Sequence, residues 1–137
     1  MSVETSVITR SMNGMSNPQD ALHLWHRVTG RALRELTHDL SQRQMAVLLN
    51  VYMTPPPHTV RSLSEQLAIS KPAVCRALDA LSTWDLVRRK KDEEDRRNVF
   101  LQRTVSGSVF LRDFADIILA ESVHNQNDAM VSVANSR

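Results

Sequence analysis

The chain has 137 residues, 42% of them hydrophobic and 23% charged, and its 17 Lys and Arg against 15 Asp and Glu leave a net charge of +2. That is one domain's worth of sequence with enough apolar material for a core, and the near-neutral balance does not by itself point to nucleic acid. Cys75 is the single cysteine, which excludes an intramolecular disulfide; no apolar run approaches the roughly 18 residues of a membrane span, and Met1 to Pro18 holds no signal peptide, so a cytoplasmic protein without a membrane partner is expected.

Residues 1–17 are polar and predict a disordered tail. A first helix is expected over about 18–36. Leu22, Trp25, Thr29, Ala32 and Leu36 recur at alternating spacings of three and four, a seam able to pack on another helix, and Leu24, Val28 and Leu33 widen it beyond what a small core needs. His23 and His26 lie three apart with no Cys or carboxylate cluster beside them, so they read as surface or pocket-lining residues rather than metal ligands, and neither a metal nor a cofactor is expected.

Ser41 with Gln44 three residues later forms a capping-box pattern that starts a second helix, whose buried face is expected to hold Met45, Leu48, Leu49 and Tyr52. Pro55-Pro56-Pro57 ends it as a stiff connector. His58-Thr59-Val60 is placed to add a short strand to a sheet. Ser62 or Thr59 caps a short third helix carrying Leu63 and Leu67, and Ala68-Ile69-Ser70 makes a tight turn. Ser70 is a favoured N-cap residue and Pro72 is tolerated in the first turn of the helix that follows. In that fourth helix Val74, Leu78 and Leu81 form one apolar stripe, and Lys71, Ala73, Cys75 and Arg76 are expected on the opposite face, at the positive end of the helix dipole. Such a helix can press its N-terminal half into a DNA major groove, with Arg76 reaching a base edge or a phosphate.

Asp85 stands where this helix must stop, in a position for the left-handed conformation. Leu86 to Arg89 and Asn98 to Leu101 read as strands joined by a polar tip, Lys90 to Arg97. A helix-turn-helix followed by such a hairpin is a winged helix. Thr104 caps a last helix over about 104–122, with Phe110, Leu111, Phe114, Ile117 and Ile118 on one stripe; beyond Glu121 the pattern decays. From Lys71 to Arg103 there are nine cations and six acids, and from Thr104 onward acids outnumber Arg112 and Arg137, so the positive charge coincides with the reading helix and the wing.

The run "LAISKPAVCRALDAL", then "WDLVRRKKDEEDRRNVFL" and "RTVSGSVFL", resembles the MarR family of bacterial winged-helix regulators. Asp95-x-Arg97 with Leu101 four positions on is similar to that family's wing signature. The resemblance is detailed over about Leu36 to Leu111. This chain has Ala68 and Asp85 where the family often has Gly, Arg103-Thr104 where it has Leu-Thr, and Cys75 where it has a small hydroxyl residue.

The fold class expected is mainly α (α+β), one domain over 18–137, with a winged helix-turn-helix at about 41–103 and terminal helices that pair two subunits. The resemblance implies a homodimeric, non-enzymatic transcriptional regulator, most simply a repressor, on a pseudo-palindromic duplex at the nucleoid. The DNA-contacting set is Ser70, Lys71, Pro72, Ala73, Cys75, Arg76, Arg88, Lys90, Asp95, Arg96 and Arg97, with Arg97 in the minor groove and Asp95 orienting a wing arginine. Leu22, Trp25, Phe110, Phe114, Ile117 and Ile118 are the dimerisation set. A small aromatic effector is implied, with His23, Trp25, His26 and Arg27 as candidate lining residues. The rival reading is a winged-helix protein-interaction module that does not bind DNA specifically; Lys71, Arg76 and Arg97 weigh against it. No phosphate loop, zinc-protease motif or nucleophile elbow supports an enzyme.

Overall fold

The computed structural model describes residues 17–136. The tail expected over residues 1–17 therefore lies, Asn17 apart, outside the described residues. The elements are α1 (Pro18–Glu35), α2 (Gln42–Met53), α3 (Val60–Leu67), α4 (Lys71–Thr83), β1 (Val87–Lys91), β2 (Val99–Arg103) and α5 (Val105–Asn135). The chain divides into two compact units: Thr37–Arg112, and the described parts of Met1–Leu36 with Asp113–Arg137.

In the unit of residues 37–112, side-chain caps fix where the helices start. Ser41 and Gln44 close a capping box at α2, and Thr59 and Ser62 close another at α3. The core is Val47, Leu48 and Val51 of α2, Leu63 of α3, five α4 residues from Ala73 to Leu81, then Leu86, Val87, Leu101 and Phe110. The α2 stripe thus differs from the expected one: Met45, Leu49 and Tyr52 are only half-buried, and the β-branched Val47 and Val51 take the inner positions beside Leu48. His38 stacks on Trp84, with ring centroids 5.0 Å apart and planes 20° from parallel.

The sheet has two antiparallel strands, in a register that pairs Val87 with Arg103, Arg89 with Leu101 and Lys91 with Val99. His58 to Val60 adds no third strand. A single bond, from the Leu101 amide to the His58 carbonyl at 2.9 Å, stands there, because Thr59 is already the cap of α3 and turns the chain away. Ala68 and Asp85 are left-handed at φ 53 and 55, where β-carbons cost energy that glycine avoids.

In the other unit, Leu24 and Val28 are the buried residues of α1, and Phe114 and Ile117 are buried on α5. Trp25 meets Phe114 edge-on, with centroids 6.4 Å apart. The Arg27 guanidinium donates to Glu121 at 3.1 Å and to Asn125 at 2.6 Å, and Arg31 reaches the other Glu121 oxygen at 3.2 Å. The carboxylates of Glu35 and then Glu121, as hydrogen-bond partners, raise the Arg31 pKa above its ordinary value.

Two features of α5 differ from the outline read in the sequence. Phe110, Phe114 and Ile117, at 5%, 7% and 5% exposure, are buried within the protomer, and Ile118 is half-buried. They form the inward stripe of α5, whereas Leu119, Val123, Met130 and Val133 are exposed, together with Leu22, Trp25 and Leu33 of α1. In addition, α5 does not stop near residue 122 but runs to Asn135. Between Glu121 and Asn135 there is neither Pro nor Gly to end it, and loss of apolar period does not by itself stop a helix.

Candidate nucleic-acid interface

Helix α4 is capped by Ser70, whose hydroxyl accepts the Ala73 amide at 3.2 Å, with Pro72 in the first turn. Lys71, Pro72 and Arg76 are exposed on this helix and Cys75 is half-exposed; Ser70, just outside it, is exposed as well. Ala73 is not on that face. It is 6% exposed and packs with Val74, Ala77 and Leu78, because two adjacent rows, 73/77 and 74/78/81, both turn inward. In place of the expected Lys71, Ala73, Cys75 and Arg76, the outward face of α4 holds Lys71, Cys75, Arg76 and, one turn further on, the exposed Asp79.

On the wing, alternation along β1 decides which cations look where. Val87 is buried, and Arg89 shares its parity; Arg89 Nη2 lies 2.7 Å from Asp79 Oδ1 and 3.5 Å from the Cys75 carbonyl. Lys91 has the same parity. Arg88 and Lys90, the two β1 cations singled out from sequence, take the opposite parity, and Arg88 stands 3.7 Å from the Asp85 carboxylate. The side of the wing turned to α4 thus carries Arg89 and Lys91. Counting in twos from Val87 is the signal that would have found them.

The tip is held by its own acids. The Asp92 carboxylate accepts the Glu94 amide at 2.9 Å and the Asp95 carboxylate accepts the Arg97 amide at 3.1 Å, two local turns closed by side chains. Asp95 Oδ1 is also 3.8 Å from Arg97 Nε, a loose pair, and the Arg97 side chain is 95% exposed. Asp95 therefore shapes the backbone that presents Arg97 more than it grips the guanidinium. Arg96 is likewise exposed.

The four residues considered for an effector are not alike. His23, Trp25 and His26 are exposed on α1, whereas Arg27 is committed to Glu121 and Asn125. Among the described residues no cluster of His, Cys, Asp and Glu is arranged to hold a metal ion, and no helix is long and apolar enough to cross a membrane.

Residues 38–98 match the model of the MarR family, a span that starts at the His38–Trp84 stack and ends in the wing. No curated protein sequence matches the chain. Among solved structures, the S. aureus MepR–DNA complex superposes with a TM-score of 0.58 at 20% identity, covering 98% of this chain and 97% of that one. The transcriptional repressor CouR, bound to a 23-mer DNA duplex, gives 0.61 at 21% identity over 86% of each chain. The transcriptional regulator PA3341 gives 0.53 at 25% identity over 92% of this chain and 80% of its own. A capped helix-turn-helix, a two-stranded wing and the family's own sequence pattern thus follow one another along the chain, and over residues 38–98 that pattern matches the MarR family.

Proposed function

We propose that the chain is a transcriptional regulator that binds duplex DNA as a homodimer, acts as a repressor and is released by a small-molecule effector. It would work in the cytoplasm, at the nucleoid, without catalysis. The observation that carries the reading is the exposure of Lys71 and Arg76 on α4 and of Arg96 and Arg97 at the tip of a wing tied to α4 through Arg89 and Asp79. It is supported by likeness in fold to MepR and CouR, each solved with DNA.

In this reading α4 enters the major groove, where Arg76 reads a base edge, and the wing lays Arg97 along the minor groove. The homodimer is favoured by the exposed apolar residues of α1 and α5, Leu22, Trp25, Leu33, Leu119 and Val123 among them, which a second copy would cover. Two copies then address half-sites about one helical turn, roughly 34–36 Å, apart. The test is selection of bound duplexes from a random pool, followed by titration at several salt concentrations. A palindromic consensus with a steep salt dependence supports the proposal; no enrichment and no salt-dependent binding overturns it.

A further inference from the structure

The wing is a short hairpin, and a two-stranded hairpin is marginal on its own in water. Its base is well held: Val87 and Leu101 are buried, and the Leu101 amide bonds the His58 carbonyl. Beyond that rung the strands leave the core, since Val99 and Phe100 are half-buried and Lys90 and Lys91 exposed. Arg89 sits at the transition, directly across from buried Leu101. Its guanidinium crosses to α4 and meets the Asp79 carboxylate and, more loosely, the Cys75 carbonyl, acceptors one helical turn apart on one face of that helix.

Resting on the DNA-binding reading above, we propose that Arg89 is a positioning residue: its bridge to Asp79 sets the distance between wing and reading helix, and it does so without touching DNA. Asp79 is the one acid on α4, and Arg89 neutralises it, so the helix offers its cations to a polyanion with its own carboxylate already engaged. The pair is too exposed to serve stability. Arg89 and Asp79 side chains are 38% and 67% accessible, and exposed pairs add little to folding. What an ion pair in this place supplies is geometry, because the wing can serve the minor groove only if its tip is at the right reach from a helix seated in the major groove.

Two measurements test the proposal. The first needs no DNA. Cys75 is the chain's single cysteine, so Glu93→Cys creates a pair of labelling sites, one on α4 and one at the wing tip. The spin–spin distance distribution between nitroxides at these sites is expected to be narrow, and to broaden or shift in the Asp79→Ala and Arg89→Ala backgrounds; unchanged distributions in both overturn the proposal. The second uses duplexes selected by the unlabelled wild-type protein. Arg89→Ala and Asp79→Ala are each expected to weaken binding roughly three- to fivefold, with the double variant no weaker than the worse single one and Arg89→Lys recovering part of the loss. The salt slope should stay at the wild-type value throughout. If Arg89→Ala instead flattens the slope by about one counterion while Asp79→Ala tightens binding, Arg89 is a phosphate contact restrained by Asp79, and the positioning role is wrong. Lys71→Ala serves as the control: loss of binding there shows that the DNA reading stands whatever Arg89 does.

Discussion

The Tyr52 hydroxyl accepts the Thr104 amide at 2.8 Å. The same hydroxyl donates to the Leu86 carbonyl at 2.8 Å, while the Thr104 hydroxyl donates to the Asp85 carbonyl at 2.6 Å and accepts the Gly107 amide at 2.9 Å. One phenol and one hydroxyl thus pin together the end of α2, both feet of the wing and the start of α5.

Tyr52→Phe leaves the Thr104 amide without its partner in a partly buried place and is expected to cost about 1–3 kcal/mol of stability. Gly107→Ala should cost at least as much, since its Cβ would overlap the Tyr52 hydroxyl and the Leu86 carbonyl, and a backbone atom cannot swing aside. Urea unfolding of both variants checks this. A Gly107→Ala protein with the wild-type midpoint would mean that the junction is looser than its bonds imply.

Ala68 closes α3 with φ 53 and its amide on the Ser64 carbonyl. Glycine holds this conformation without the β-carbon penalty, so Ala68→Gly is expected to stabilise the protein by about 1 kcal/mol. Asp85→Gly should gain less. The backbone at φ 55 is eased, but the carboxylate contacts to Arg88 at 3.7 Å and Ser106 at 3.4 Å are lost. Thermal melts of the two variants rank them, and a destabilised Ala68→Gly would contradict the strain argument.

The capping box at Ser41, the Ser70 cap and the left-handed Asp85 are all legible, because each signal is complete within a few residues of sequence; at α3 the sequence offers Thr59 or Ser62 as the cap, and the structure uses both, Thr59 as the cap and Ser62 as its partner in the box. Strand parity in Val-Arg-Arg-Lys-Lys was not: four cations in a row hide the two-residue alternation that an apolar pattern would display. The apolar faces of α5 are hard to tell apart in the sequence for a related reason. That helix is apolar on more than one side, and only the packed chain distinguishes the side that holds Phe110, Phe114 and Ile117 from the side that leaves Leu119 and Val123 exposed. The role of Arg103 was equally hidden. It donates to the Val51 and Thr54 carbonyls at the end of α2, which has no cation of its own in its last turn.

Assembly and folding should therefore respond to different substitutions. Val123→Glu and Leu22→Glu place charges on exposed apolar ground and are expected to weaken the proposed dimer while leaving the melting transition of the protomer near its wild-type position. Phe114→Asp buries an unpaired carboxylate and should destabilise the fold itself by several kcal/mol. Sedimentation and melting curves, taken together, separate the two effects. Dissociation by none of the exposed-site variants would count against the homodimer.

On DNA, Arg76→Ala is expected to change which base pair is preferred at one position of each half-site, at a cost of about 1–3 kcal/mol. Arg97→Ala should instead weaken all sequences alike and flatten the salt slope by about one counterion. Asp95→Ala should act as a milder Arg97→Ala, because the carboxylate holds the turn that presents the arginine. Titration of each variant against a selected pool at several salt concentrations is the measurement. An Arg97→Ala protein with wild-type affinity and slope would remove the wing from the interface.

The two turns at the wing tip also bear on how such a protein changes over generations. On the proposed duplex Asp92 and Asp95 would place negative charge beside a polyanion, yet the atoms that close the turns, one carboxylate oxygen each on the Glu94 and Arg97 amides, are atoms that an asparagine side chain also has. Aspartate and asparagine codons differ by a single base. In the proposed complex each position is therefore a dial for the overall strength of binding that could be turned without remaking the hairpin, and without altering the helix proposed to choose the sequence.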